Sequence, residues 1–195
     1  HTAKFLQQMG ANVVAVTDSK GRLYNQEGLD IEKIFKIVNN ADGKPQKVSE
    51  IDGEGEKIDS REFLCLNADI LIPAALGGVI HKGNVDQVCT RMIIEAANIP
   101  VTCEADKALA ERDICVVPDI LANAGGVAVS YLEWVQNRIR YQWSESRVND
   151  ELENKMRIAW REVEKRAKKD NVSYRLSAYI TAVERVIKAI RLRGF

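Results

Sequence analysis

The sequence predicts an α/β fold, a doubly wound and mostly parallel sheet closed by long C-terminal helices. Three observations carry this. Short apolar runs and helical stripes alternate four times between residues 3 and 117, and such alternation builds parallel sheets with helices on both faces. The first run, Val13, Val14, Ala15 and Val16, is apolar without a break, as expected of a strand buried on both faces of a parallel sheet. After Asp119 the alternation stops, and helical periodicity continues through 125–142, 148–169 and 173–193.

The elements follow in order. Ala3, Phe5, Leu6 and Met9 give the first helix one apolar face, and Gly10 stands where a helix stops. A strand is predicted at 12–17, with Asp18 at its carboxyl end, followed by a turn-rich stretch with Gly21, Asn25 and Gly28. Leu29, Ile31, Ile34, Ile37 and Val38 form the stripe of a second helix, 29–39. Residues 40–60 are polar and aperiodic, which reads as a surface excursion. The next strand is 70–72, stopped by Pro73. Asn84 is placed to cap a short helix reaching residue 90. Strands at 92–95 and 114–117 flank a helix at 104–112, and the second ends at Pro118. Residues 1–124 thus read as the alternating α/β part and 125–195 as the helical part of one domain, 1–195.

Bulk properties narrow the function. Lys plus Arg number 28 and Asp plus Glu 28, so no global field favours a polyanion, and nucleic acid is not an expected partner. The apolar run at 68–79 contains Asp69 and two glycines and is too short to span a bilayer, so no membrane partner is expected. The first residues lack a signal-peptide layout. Cys65, Cys89, Cys103 and Cys115 form no C-x-x-C pair and no His lies at zinc-ligand spacing. They read as reduced thiols, buried or half-buried, with no metal. The expected location is cytoplasmic, with an organellar matrix as the alternative.

A doubly wound, Rossmann-like dinucleotide fold normally opens with a strand and a glycine-rich turn whose helix meets the pyrophosphate. No G-x-G-x-x-G occurs here. The strand at 12–17 ends in an acid, the position expected of the second strand of such a fold. Without a first strand, which is central in the usual order, two half-sheets with unpaired inner edges are expected, each unpaired buried group costing about 1–3 kcal/mol. Residues preceding His1 are therefore expected, and intact mass with N-terminal sequencing would test this.

Particular segments resemble the glutamate dehydrogenases of the Glu/Leu/Phe/Val dehydrogenase superfamily. They are K-F-L from Lys4, V-A-V-T-D-S-K-G from Val14, A-D-I-L-I-P-A-A-L-G-G-V-I from Ala68, I-E-A-A-N from Ile94, E-A-D from Glu104, A-Y from Ala178, and R-L-R-G-F from Arg191. The strongest is V-P-D-I-L-A-N-A-G-G-V-A-V-S-Y-L-E-W-V-Q-N from Val117. The resemblance covers essentially the whole chain. Ala96 stands where the family often has Gly, and Ile99 and Cys103 replace the commoner Gly or His and Pro.

The resemblance implies site residues, each with a plainer reading beside it. Asp18 is either a strand-end carboxylate facing water or, with Ser19 beside it, a ligand for the adenosine ribose. An acid there repels a 2′-phosphate and favours NAD, although the family also uses NADP. Ala74 and Ala75, after Pro73, are either helix–strand packing or small residues along the cofactor. Asn98 is either a turn residue tolerant of left-handed geometry or a donor and acceptor for the nicotinamide end. Asn123 and Ser130 stand seven residues apart, close to two turns at 3.6 residues per turn, with Gly125 and Gly126 opening a helix between them. Taken alone they are a cap and a buried hydroxyl. By resemblance Asn123 contacts nicotinamide and substrate, and Ser130 bonds the side-chain carboxylate of glutamate.

His1 and His81 stand outside any catalytic constellation and read as structural or solvated. The mixed charges of 151–169 read as a solvated helix face. Trp134, Trp143 and Trp160 read as packing or subunit contacts. The resemblance implies a parent enzyme that oxidatively deaminates glutamate to 2-oxoglutarate and ammonia with NAD(P), as a homo-oligomer, a hexamer in the family. The catalytic lysines and general-acid/base aspartate of that family belong to another domain, so no catalytic residue is assigned in this chain, and the chain alone is expected to be inactive. Alternatives are a leucine, phenylalanine or valine dehydrogenase, against which Ser130 and A-N-I-P at 97–100 speak, or a non-catalytic nucleotide-binding or assembly module.

Overall fold

The computed structural model describes residues 1–39 and 45–194. They form two compact units, His1–Ala68 with Asp86–Thr90, and Asp69–Val85 with Arg91–Phe195. The α/β class is borne out, with one parallel sheet and long C-terminal helices.

In the first unit, helix α1 (Thr2–Gln8) precedes strand β1 (Ala15–Thr17), strand β2 (Arg22–Tyr24) and helix α2 (Ile31–Asn39). Strand β3 (Glu56–Lys57) and helix α3 (Ser60–Leu64) follow. The expected parallel setting of the first strand is wrong. β1 pairs antiparallel with β2, Val16 opposite Leu23, and β2 pairs antiparallel with β3. The physical reason is local: the turn at 18–21 returns the chain directly beside β1, which excludes a parallel crossover. β1 is the end strand of its sheet, so Ala15 and Val16 are half-buried and Thr17 is exposed, rather than covered on both faces.

The stretch 45–60 corrects a second expectation; residues 40–44 lie outside the described residues. Val48 and Ile51 are buried, and together with Leu23, Leu29, Ile31 and Ile34 they form the core of the unit. An aperiodic segment thus supplies two core residues and a strand. Ala3 of α1 packs on this core, but Phe5 and the C-cap Met9 are 57% and 83% exposed. Gly10 does end the helix region, at φ +91°.

In the second unit, strands β4 (Ile70–Leu71), β5 (Met92–Ile94) and β6 (Cys115–Val117) form a parallel sheet in that order. Register pairs Leu71 with Ile93, and Ile93 with Val116. The central position of β5 explains why Ile93 is fully buried, while Ile70 on the end strand is 46% exposed. Asn84 does not cap a helix. Its Oδ1 accepts from the backbone of His81 and its Nδ2 donates to the carbonyl of Val79, so it ties its own loop; only one 3₁₀ turn, Val85–Gln87, follows.

Helix α4 (Cys103–Glu111) starts at Thr102, whose hydroxyl accepts from the Ala105 amide. Helices α5 (Asp119–Ala122), α6 (Gly125–Ile139), α7 (Glu145–Asp170) and α8 (Tyr174–Leu192) complete the chain. Ser144 and Ser173 cap α7 and α8 through their hydroxyls. Val117, Leu121, Val163 and Ala178 form the core between β6 and these helices, and Trp160 packs there, its ring 5.1 Å from that of Tyr174. Trp134 is instead 56% exposed beside Tyr131. No helix among the described residues is long and apolar enough to cross a membrane.

All four thiols are free, but Cys65, Cys89 and Cys103 are exposed rather than buried. Each lies outside a strand, Cys65 as the C-cap of α3 and Cys103 as the first residue of α4. Only Cys115, inside β6, is half-buried, and burial pushes its thiol pKa up.

Candidate functional site

The carboxyl ends of the three parallel strands lead into the candidate residues Ala74, Ala75, Asn98 and Asn123. Such ends are where open parallel sheets bind ligands. After β4, Pro73 is buried and its carbonyl accepts from the amides of Ala96 and Ala97, at 3.0 and 2.8 Å. This leaves Ala74 and Ala75 exposed just beyond the clasp. The loop then returns: the Gly78 amide donates to the Ile99 carbonyl at 2.8 Å and that of Ile80 to Pro100 at 2.9 Å. A Cβ on Gly77 would lie 2.8 Å from the Asn98 carbonyl oxygen, so only glycine permits this approach.

Asn98 and Asn123 meet. Nδ2 of Asn123 donates to Oδ1 of Asn98 at 2.7 Å. Asn98 ends the segment after β5, and Asn123 is the C-cap of α5, held by its amide on the Asp119 carbonyl. The pairing leaves the Asn98 Nδ2 donors and the Asn123 Oδ1 acceptor unused by each other. Exchanging both amides' nitrogen and oxygen leaves the same inventory. Asn98 is not itself left-handed; its neighbour Ile99 is, at φ +47°. Ile99 is anchored by its amide on Asp119 Oδ2 at 2.8 Å.

Ser130 sits exposed on α6, five residues beyond its first residue, Gly125. Asn123 lies outside α6, but Ala124 between them is α-helical at φ −61°, ψ −15°, so the two-turn separation is nearly kept.

Asp18 and Ser19 belong to the first unit. Ser19 is exposed. Asp18 neither simply faces water nor stands free: Oδ1 accepts from Lys20 and Gly21 at 2.7 and 3.0 Å, and Oδ2 from Val48 at 2.9 Å. Desolvation pushes its carboxyl up, but the three amides, Val48 foremost, and Lys47 outweigh it and hold the pKa below the ordinary carboxylate value. Three of its roughly four lone-pair sites are filled.

A charged cluster under the strand ends escaped the sequence reading. Glu95, fully buried, receives Arg175 Nη2 on Oε1 at 2.9 Å and the Asp119 amide on Oε2 at 2.9 Å. Arg175, from α8, also grips Asp106 through Nε and Nη2, at 3.0 and 3.1 Å. Burial pulls the guanidinium pKa down, but Glu95 and Asp106 overcome it and raise it. The available signal was an acid closing the apolar run at 92–94; such an acid needs a partner when buried.

His81 is exposed and its Nδ1 accepts from the Gly83 amide, a loop role. No group of three His, Cys, Asp or Glu residues able to hold a metal occurs among the described residues.

The family model of Glutamate/Leucine/Phenylalanine/Valine dehydrogenase matches residues 1–194. The chain belongs to this family. It is 45% identical over 188 residues to a glutamate dehydrogenase of Thermotoga maritima, covering 96% of this chain and 44% of that one. It is 43% identical to an NAD-specific glutamate dehydrogenase A of Halobacterium salinarum, covering 100% and 43%. It is also 43% identical to the NADP-specific glutamate dehydrogenase A1 of that organism, covering 98% and 45%. Among solved structures, the hetero-hexameric glutamate dehydrogenase of Thermus thermophilus superposes with a TM-score of 0.86 at 31% identity, over 99% of this chain and 44% of that one. The chain therefore spans less than half the length of the dehydrogenases it matches.

Proposed function

We propose that residues 1–195 are the dinucleotide-binding domain of a glutamate dehydrogenase, an NAD(P)-dependent oxidoreductase that deaminates glutamate to 2-oxoglutarate and ammonia. The observation that carries this is the Asn98–Asn123 pair at the ends of β5 and α5. Its unused donors and acceptor form a complement to a primary carboxamide, which itself offers one carbonyl and two N–H groups. The nicotinamide of NAD(P) ends in that group and, when bound, supplies the hydride acceptor.

The chain's own residues then bind and orient. Asn98 donates to the carboxamide oxygen and Asn123 accepts from its nitrogen. Ala74 and Ala75 let the cofactor lie against the end of β4. The Ser130 hydroxyl donates to the side-chain carboxylate of glutamate, and a site built on such a bond rejects substrates lacking the group. Asp18, with Ser19, takes one ribose hydroxyl on its remaining lone-pair site. Proton transfer falls to residues outside this chain, so its share of catalysis is orientation and exclusion of water. Relatives of both cofactor specificities support NAD with NADP as the alternative. The hexameric neighbour supports an oligomer, and the expected location remains cytoplasmic.

The test is a comparison of glutamate with leucine as substrate of the intact dehydrogenase carrying this chain, beside the 195-residue chain alone. Glutamate oxidation by the intact enzyme and none by the chain is expected. A preference for leucine, or turnover by the chain alone, would overturn the reading.

A further inference from the structure

The cluster around Arg175 connects the site to the body of the second unit. One guanidinium reaches Glu95 after β5, Asp106 on α4 and, with Nη1 at 3.7 Å, Asp119 at the start of α5. Glu95 holds the Asp119 amide, and Asp119 holds the Ile99 amide. The turn that carries Asn98 and the short helix that ends in Asn123 therefore share one anchor, contributed by α8. Three carboxylates around one cation are a costly way to join helices to a sheet, because a buried ion pair is often no more stable than well-packed apolar residues. What the cluster supplies instead is a fixed geometry, since each carboxylate is bound on both sides.

We propose, building on the carboxamide reading above, that Arg175 is a positioning residue for the dehydrogenase reaction. It sets the separation and tilt of the Asn98–Asn123 pair through Glu95 and Asp119, without itself contacting cofactor or substrate. A lysine there keeps the charge but loses the fork that grips Asp106 and Glu95 together.

The test is a double-mutant cycle in the intact dehydrogenase carrying this chain, with kcat/KM for the cofactor measured for Arg175→Lys, Asn98→Ala and their combination. Each single change is expected to lower kcat/KM about tenfold or more, and the combination to lose little beyond the worse single variant, because Arg175 acts through the Asn98–Asn123 pair, which Asn98→Ala already breaks. Losses that multiply overturn the inference and leave Arg175 a structural residue, while the carboxamide reading stands. An Asn98→Ala enzyme with unchanged kcat/KM overturns both. Should Arg175→Lys fail to fold, the pair Glu95→Gln with Arg175→Gln, which keeps hydrogen-bonding groups without charge, takes its place in the same cycle with the same readings.

Discussion

Asn123 donates to Asn98 side chain to side chain at 2.7 Å, joining the ends of two segments that are 25 residues apart in sequence. The contact makes a direct prediction. Asn98→Asp keeps an acceptor for Asn123 but replaces the outward donor with a carboxylate oxygen, which faces the carbonyl of a bound carboxamide. Catalytic efficiency with NAD should fall about tenfold, equivalent to roughly 1.4 kcal/mol, with thermal stability nearly unchanged. Steady-state kinetics beside a melting curve check it; full efficiency would place the nicotinamide elsewhere.

Ser130 tests the substrate side. A hydrogen bond to a charged group contributes about 1.5–3 kcal/mol, so Ser130→Ala should lower kcat/KM for glutamate by roughly 10- to 100-fold. Because Ser130 is exposed, the melting temperature should barely move. An equal loss for glutamate and for a monocarboxylic amino acid would remove Ser130 from the carboxylate contact.

Asp18 links structure to pH. Its folded pKa lies below the reference value of 3.8, so its stabilising contribution is complete above that value and is lost as pH falls through the lower, folded one. Asp18→Asn gives up the Oδ2 bond to Val48 and should cost about 1–2 kcal/mol near neutral pH. The gap between the two proteins should close as pH drops below 3.8. Denaturant unfolding across roughly pH 2–7 reads it; a gap that widens in acid refutes the assignment.

Gly77 is a steric test. The Cβ of Gly77→Ala would sit 2.8 Å from the Asn98 carbonyl oxygen and 3.3 Å from that of Ile99. Both are backbone atoms, so the loop must move, at about 1–3 kcal/mol. A lower melting temperature together with weaker cofactor binding is expected. Gly126, with open space around its missing Cβ, is the matched control.

What the sequence disclosed divides by range. The helices α4 and α6 to α8 and the strands β5 and β6 were legible because periodicity and short apolar runs act within a few residues. β2 escaped because Arg22–Tyr24 lies between Gly21 and Asn25 and owes its strand character to pairing. α3 escaped although its signal was present, since Asp59 and Glu62 form a reciprocal capping box. The candidate site residues Asn98, Asn123 and Ser130 are named by family resemblance alone. The contact between Asn98 and Asn123 was not legible, because nothing in spacing joins residues 98 and 123. Arg175 was further out of reach, standing 80 positions from Glu95.

Ile99 holds a branched side chain at φ +47°, a conformation that costs on the order of 1–3 kcal/mol. Its amide and carbonyl are each bound, to Asp119 and to Gly78. The bend beside Asn98 is thus locked before any guest arrives. A stiff receptor surrenders little freedom upon capture, so tightness there should derive from shape set in advance rather than from a loop that hardens around its visitor.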